Sequence, residues 1–251
     1  MKRLLTTSFF ILLCCGSLTI ATCAMTTARQ KGAAGKPAGG SKAGAKAEQP
    51  GGAALDAAGE EALKAELDEI VKLAPAERIQ RLQAFLKKRL TPALKLRASE
   101  GLTSARAALG DEKLRTGDRR GGVELFRLAV AEAPAEMSDK LFVEVVSQLP
   151  ANLYILNERE AAFDLARRIE LKVGDNAQRL LSVATFYLGV EGSDDAARVA
   201  AAAVALKPDL AVAHQALGAA HRVALRLEQA ATEYARAVEL DPASRSARHG
   251  L

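Results

Sequence analysis

The sequence predicts an all-α protein built from antiparallel helix pairs repeated along the chain. Three observations lead there. Ala, Leu, Arg and Glu are abundant, while aromatic residues make up 4% and Trp is absent, a composition of strong helix formers. No short Val, Thr and Tyr runs joined by Asn-Gly turns mark strands. Pro208 and Pro242 stand 34 residues apart, and similar small and apolar residues precede each at matching offsets, the mark of a repeated helix–turn–helix unit.

The chain opens differently. Lys2 and Arg3 precede an apolar run from Leu4 to Leu13, and small residues continue as far as Ala24. That is the order of an export leader, with Thr22-Cys23-Ala24 as a cleavage site. Gly16, Ser17 and Thr19 interrupt residues 1–24, which makes them a poor membrane span; a cleaved leader and an uncleaved anchor both fit. Ile20-Ala21-Thr22-Cys23 resembles the lipobox of bacterial lipoproteins, which implies a lipid on Cys23, although Thr22 stands where that pattern prefers Gly, Ala or Ser. Residues 25–54 are Gly, Ala, Lys and Pro of low complexity, with no apolar face to offset the entropy of ordering. They read as a tether. The net charge of +5 belongs to these first segments: residues 55–251 sum to −1. A basic nucleic-acid footprint on the folded part is therefore not expected. Cys14, Cys15 and Cys23 are the three cysteines, so no disulfide staples residues 55–251.

Helical periodicity starts at Leu55. Leu63, Leu67, Ile70 and Val71 form one apolar stripe, and Pro75 ends that helix. Ile79, Leu82, Phe85, Leu86 and Leu90 form the next, and Pro92 suits the first turn of a third. Residues 55–102 make an N-terminal helical region without a repeat signature. A unit at about 211–244 carries Leu217-Gly218, His221, Ala230, Tyr234, Ala237 and Pro242. A unit at about 177–210 carries Val183-Ala184, Tyr187, Ala196, Ala200, Ala203 and Pro208. One at about 103–136 carries Leu109-Gly110, a turn at Gly117-Asp118, then Gly122, Phe126, Ala129 and Pro134. Between them, about 142–176 is degenerate: Ala162, Ala166 and Ile169 keep the pattern, but Pro150 kinks or ends its first helix. Residues 137–141 read as an insertion, and 245–251 as a truncated fifth unit.

This pattern, over about 103–251, resembles the tetratricopeptide-repeat family. The resemblance implies a right-handed superhelical solenoid of antiparallel helix pairs, with a concave groove lined by first helices. Gly110, Gly218 and Ala230 allow close helix approach, Phe126 and Tyr234 fill the space between units, and the prolines stop second helices.

No catalytic, cofactor or metal site is expected. His214 and His221 share a helix face but replace packing aromatics; a helical zinc pair has i, i+4 spacing. Asp194 and Asp195 read as caps of a helix beginning near Ala196. Some members of the family clamp acidic C-termini with Lys, Asn and Arg, but Ala107, Leu181 and Gln215 occupy those positions here. The expected partner groove is Leu181, Thr185, Leu188, Val212, Gln215, Ala219 and Arg222, with Val223 beside it, taking a helix or an extended peptide. The function expected is a non-catalytic scaffold or adaptor in the bacterial envelope, exported to the periplasm or outer membrane, with attachment through an N-terminal lipid or anchor. The alternative is the interaction module of a longer enzyme or receptor continuing past Leu251. Arg245–Leu251 is shorter than an isolated helix requires, so the apolar face of Leu227, Ala231 and Val238 is expected to be partly uncovered and to drive self-association; the rival reading is that Arg245–Leu251 folds back and serves as a cap.

Overall fold

The computed structural model describes residues 57–190 and 192–251; the leader, the tether and Cys23 lie outside them. Among the described residues there are twelve α-helices and no strand. α1 (Ala57–Val71) and α2 (Pro75–Phe85) form the opening pair, with Pro75 in the first turn of α2. α3 (Pro92–Arg115) then runs for 24 residues. The Thr91 hydroxyl accepts from the Leu94 amide at 3.4 Å and Pro92 occupies the first turn, as expected for a helix start. No proline interrupts the segment before Arg115, so the boundary read at residue 103 falls inside α3. Its first half closes a cluster of Leu67, Ile70, Leu82, Phe85, Leu94, Ala98 and Leu102. Its second half enters the main core, which extends from Ala107 to Ala220.

The repeat units come next as antiparallel pairs: α3 with α4 (Arg119–Ala131), α8 (Ala177–Gly189) with α9 (Ser193–Leu206), and α10 (Ala211–Val223) with α11 (Leu227–Leu240). The degenerate unit has a broken first helix. α5 (Asp139–Glu144) stops at Val145, a 3-10 turn covers Val146–Gln148, and α6 (Leu149–Ile155) restarts with Pro150 in its first turn. α7 (Arg159–Lys172) is its second helix. Residues 137–141 lead into and begin α5: Ser138 caps it by accepting from the Leu141 amide at 3.2 Å, and Asp139 to Leu141 are its first turn. α9 likewise starts at Ser193, three residues before Ala196, with Gly192 at the cap and no side-chain cap bond. Asp194 and Asp195 instead lie in its first turn, where negative charge suits the helix dipole.

Two of the turns inside the pairs share one chemistry. After α6, the Asn157 amide donates to the Tyr154 carbonyl and the Glu158 amide to that of Leu153. After α10, the Leu225 amide donates to the Arg222 carbonyl and the Arg226 amide to that of His221. This double bond pattern needs a left-handed residue just past the helix, for which glycine is preferred. Among the described residues the three left-handed ones are Gly117 (φ 94°), Asn157 (φ 65°) and Leu225 (φ 59°). Leucine is the odd one, since its Cβ crowds the backbone there. Leu225→Gly is therefore expected to stabilise the protein by about 1 kcal/mol, raising its melting temperature by roughly 2–4 °C. A melt that falls would show that the Leu225 side chain stabilises the turn more than its backbone costs.

The C-terminus differs from the expectation of an uncovered end. Arg245–Gly250 is helical, α12, and Ala247 is fully buried. The Ser244 hydroxyl accepts from the Ala247 amide at 3.3 Å, and the hydroxyls of Ser244 and Ser246 donate to Gln215 Oε1 at 3.3 and 2.9 Å. Gly250 lies flat on the Tyr234 ring, where a Cβ would come within 2.4 Å of it. The length limit on isolated helices does not apply to one held by tertiary packing. Leu227 and Ala231 are nevertheless exposed, and Val238 is half-buried.

Candidate interaction groove

The break between α5 and α6 shapes the surface beside it. An unbroken helix would give the Val143 carbonyl an amide partner four residues on. Here it accepts instead from the Ser147 hydroxyl at 3.0 Å and the Gln148 side-chain amide at 3.2 Å. α5, the 3-10 turn, α6 and the neighbouring α8 enclose a groove of about 460 Å³. Val143, Ser147, Gln148, Ala151, Tyr154 and Ile155 form one wall. Ser182, Thr185, Phe186, Gly189 and Val190 form the other. A Cβ on Gly189 would meet nothing within 4 Å, so its bare backbone leaves that wall open. Thr185 and Ser182 turn their hydroxyls back onto the Leu181 and Gln178 carbonyls, at 2.9 and 3.5 Å, which leaves mainly carbon facing the groove. Tyr154 and Phe186, one from each wall, belong to an aromatic cluster with Phe163. Tyr154, Phe163 and Phe186 stack edge to face at 6.0–6.5 Å between centroids. The Arg159 guanidinium lies 5.4 Å from the Tyr154 ring centroid.

Of the seven groove residues read from the sequence, only Thr185 lines this cavity. Leu181 and Leu188 lie on the same face of α8 but are half-buried against the core. On α10, Val212 and Arg222 are exposed, Ala219 is half-buried and Gln215 is engaged by the serines around α12. The α5–α6 wall was not anticipated, because these residues occupy no repeat slot; Pro150 was the one signal pointing to them.

Phe126, Tyr187, Ala196, Ala230 and Tyr234 are buried, as is Leu217 at the Leu-Gly pair, while Leu109 and Pro134 are half-buried and Pro208 and Pro242 exposed. Gly110 is met by the Phe126 ring and Gly218 by the Tyr234 ring, at the same slots of two units. The chain has the tetratricopeptide-repeat fold. The comparisons with protein-family models and with curated proteins return no match. Among solved structures, the chain is similar to YrrB, described as a TPR protein with an unusual peptide-binding site, at 17% identity and a TM-score of 0.43, covering 78% of this chain and 98% of that one. It is similar to MamA at 16% identity and a TM-score of 0.40, covering 74% and 97%. It is also similar to the second TPR domain of human RPAP3, solved with an HSP70 peptide, at 20% identity and a TM-score of 0.37, covering 42% and 88%.

His214 is buried, with Nδ1 2.7 Å from Glu233 Oε2 and Nε2 3.0 Å from the Pro208 carbonyl oxygen, so both ring nitrogens are engaged within the fold. Among the described residues, no group of three or more His, Cys, Asp or Glu is placed to hold a metal ion. Tyr187 is fully buried and its hydroxyl has no hydrogen-bond partner. Burial, reinforced by Asp195 and Glu170, pushes its phenol from 10.0 up to about 12. The unfolded chain thus releases this proton first, and stability falls as pH rises through that window. Tyr187→Phe is expected to leave stability at neutral pH unchanged or slightly higher and to flatten its decline between pH 10.0 and about 12. Identical alkaline melts for variant and parent would refute this.

Proposed function

We propose that this chain is a non-catalytic protein-interaction scaffold that holds a partner segment in the groove between α5–α6 and α8. The observation that supports it is the lining. No charged side chain lines the groove, in a chain of which 26% is charged. An apolar concavity with a few neutral polar groups suits a peptide or helix presenting a large uncharged side chain. Val143 and Ile155 are already 55% and 79% exposed beside it, so such a ligand would cover apolar surface that water now wets. In the same reading the leader at 1–24 exports the chain, and its partners belong to the envelope; a reporter fused after Gln49 should then be active outside the cytoplasm.

The test is selection of peptides from a displayed random library. Enriched peptides should carry bulky apolar residues and few charges. Ile155→Glu should weaken their binding by about tenfold or more, with a melting temperature close to the parent's, because Ile155 is exposed. Enrichment of acidic peptides, or undiminished binding to Ile155→Glu, would overturn the assignment.

A further inference from the structure

The turn joining α10 to α11 carries a second, separate feature. Val223, Leu225 and Leu227 are 46%, 82% and 63% exposed. Leu225 holds the left-handed position that Gly117 and Asn157 fill in other units, so the turn's backbone would be better served by glycine. A residue kept in a sparsely populated conformation points to a role for its side chain. That side chain projects from the end of the helix pair into water. Arg222 precedes this apolar group, and Arg226 lies within it.

We propose that this tip is a contact site for the surface of a phospholipid bilayer bearing anionic headgroups. Three protruding side chains supply only a small part of the roughly 1,600 Å² that a specific protein–protein interface buries. The boundary between headgroups and acyl chains instead accepts single apolar side chains, with arginines reaching the phosphates. Arg222 is exposed on the last turn of α10. Arg226 is held by Asp194 at 2.6 Å, but that acid is 81% exposed, and such a pair is readily exchanged for a phosphate. Glu228, on the far side of Leu227, is the other acid of the turn. No described helix is long and apolar enough to cross a membrane, so the contact is peripheral.

The chain contains no Trp, so Leu225→Trp places one fluorophore at the tip of the full-length protein. Its emission should shift to shorter wavelength on adding vesicles of phosphatidylcholine and phosphatidylglycerol. Quencher-labelled lipids should dim it, and high salt should weaken the effect. Leu171→Trp, at an equally exposed leucine at the opposite end of a helix pair, should not respond. This comparison separates contact at the tip from attachment through the N-terminal segment. Should Leu225→Trp fail to fold by circular dichroism, Leu227→Trp reads the same tip. No shift at the tip, or an equal shift at both ends, overturns the proposal. So does a lipid-independent shift that grows with protein concentration, which would assign the tip to a second copy of the chain.

Discussion

Gly122→Ala will destabilise this protein by about 2–3 kcal/mol, although alanine is the better helix former by roughly 1 kcal/mol. Gly110 on α3 and Gly122 on α4 meet where the two helices cross. A Cβ on Gly122 would lie 2.4 Å from Leu114 Cγ and 2.8 Å from the Gly110 carbonyl oxygen. The second contact is backbone, so relief requires the helices to separate, which disturbs the buried Phe126 packed across Gly110. Gly218→Ala offers a contrast at an equivalent crossing. Its Cβ would approach only side-chain atoms, the Tyr234 ring at 3.1 Å, and its cost should stay below about 1 kcal/mol. Urea melts of the two variants decide the matter. Equal losses would mean that the α3–α4 crossing yields as easily as the α10–α11 one.

The second large effect concerns Arg106. Its side chain is 5% exposed, and Nη1 donates to Glu132 Oε2 at 2.5 Å, while Glu132 itself is 49% exposed. The two ends of this pair are not equivalent. Glu132→Ala leaves a guanidinium inside the α3–α4 contact without its acceptor, and should cost about 2 kcal/mol, the half-exposed acid keeping the loss at the lower end. Arg106→Met removes the buried charge, fills similar volume and frees Glu132 to water, and should be neutral within about 1 kcal/mol. If Arg106→Met proves as damaging as Glu132→Ala, the attraction outweighs desolvation and the asymmetry is wrong.

What the sequence made legible is what recurs. Gly110 with Phe126 and Gly218 with Tyr234 are the same contact in two units; spacing picked out all four residues, but it placed the aromatics between units rather than against the glycine of their own. The prolines at 75, 92, 208 and 242 marked ends or beginnings because a missing amide acts locally. The rest depends on tertiary context. α12 escaped because its six residues are too few to be helical alone; Gln215, Tyr234 and buried Ala247 hold them. The groove wall escaped because Pro150 announces a break but not where α5 and α6 come to lie. The conformation of Leu225 escaped because nothing in its side chain favours a left-handed backbone. The groove residues read on α8 and α10 rested on face periodicity, which fixes a direction around a helix but not the depth of the surface there.

α3 belongs to two clusters at once, its first half to the one with α1 and α2 and its second half to the main core. A stack of repeats ordinarily opens one unit at a time, since each touches only its neighbours. Here the helix shared by the opening pair and the first repeat acts as a splice. The amides near Gly101, between its halves, should exchange with solvent more slowly than those of α12, which need only local release. Mechanical tension that reaches Pro92 would pass along that helix to the first repeat, with no intervening loop between Pro92 and Arg115 to absorb it.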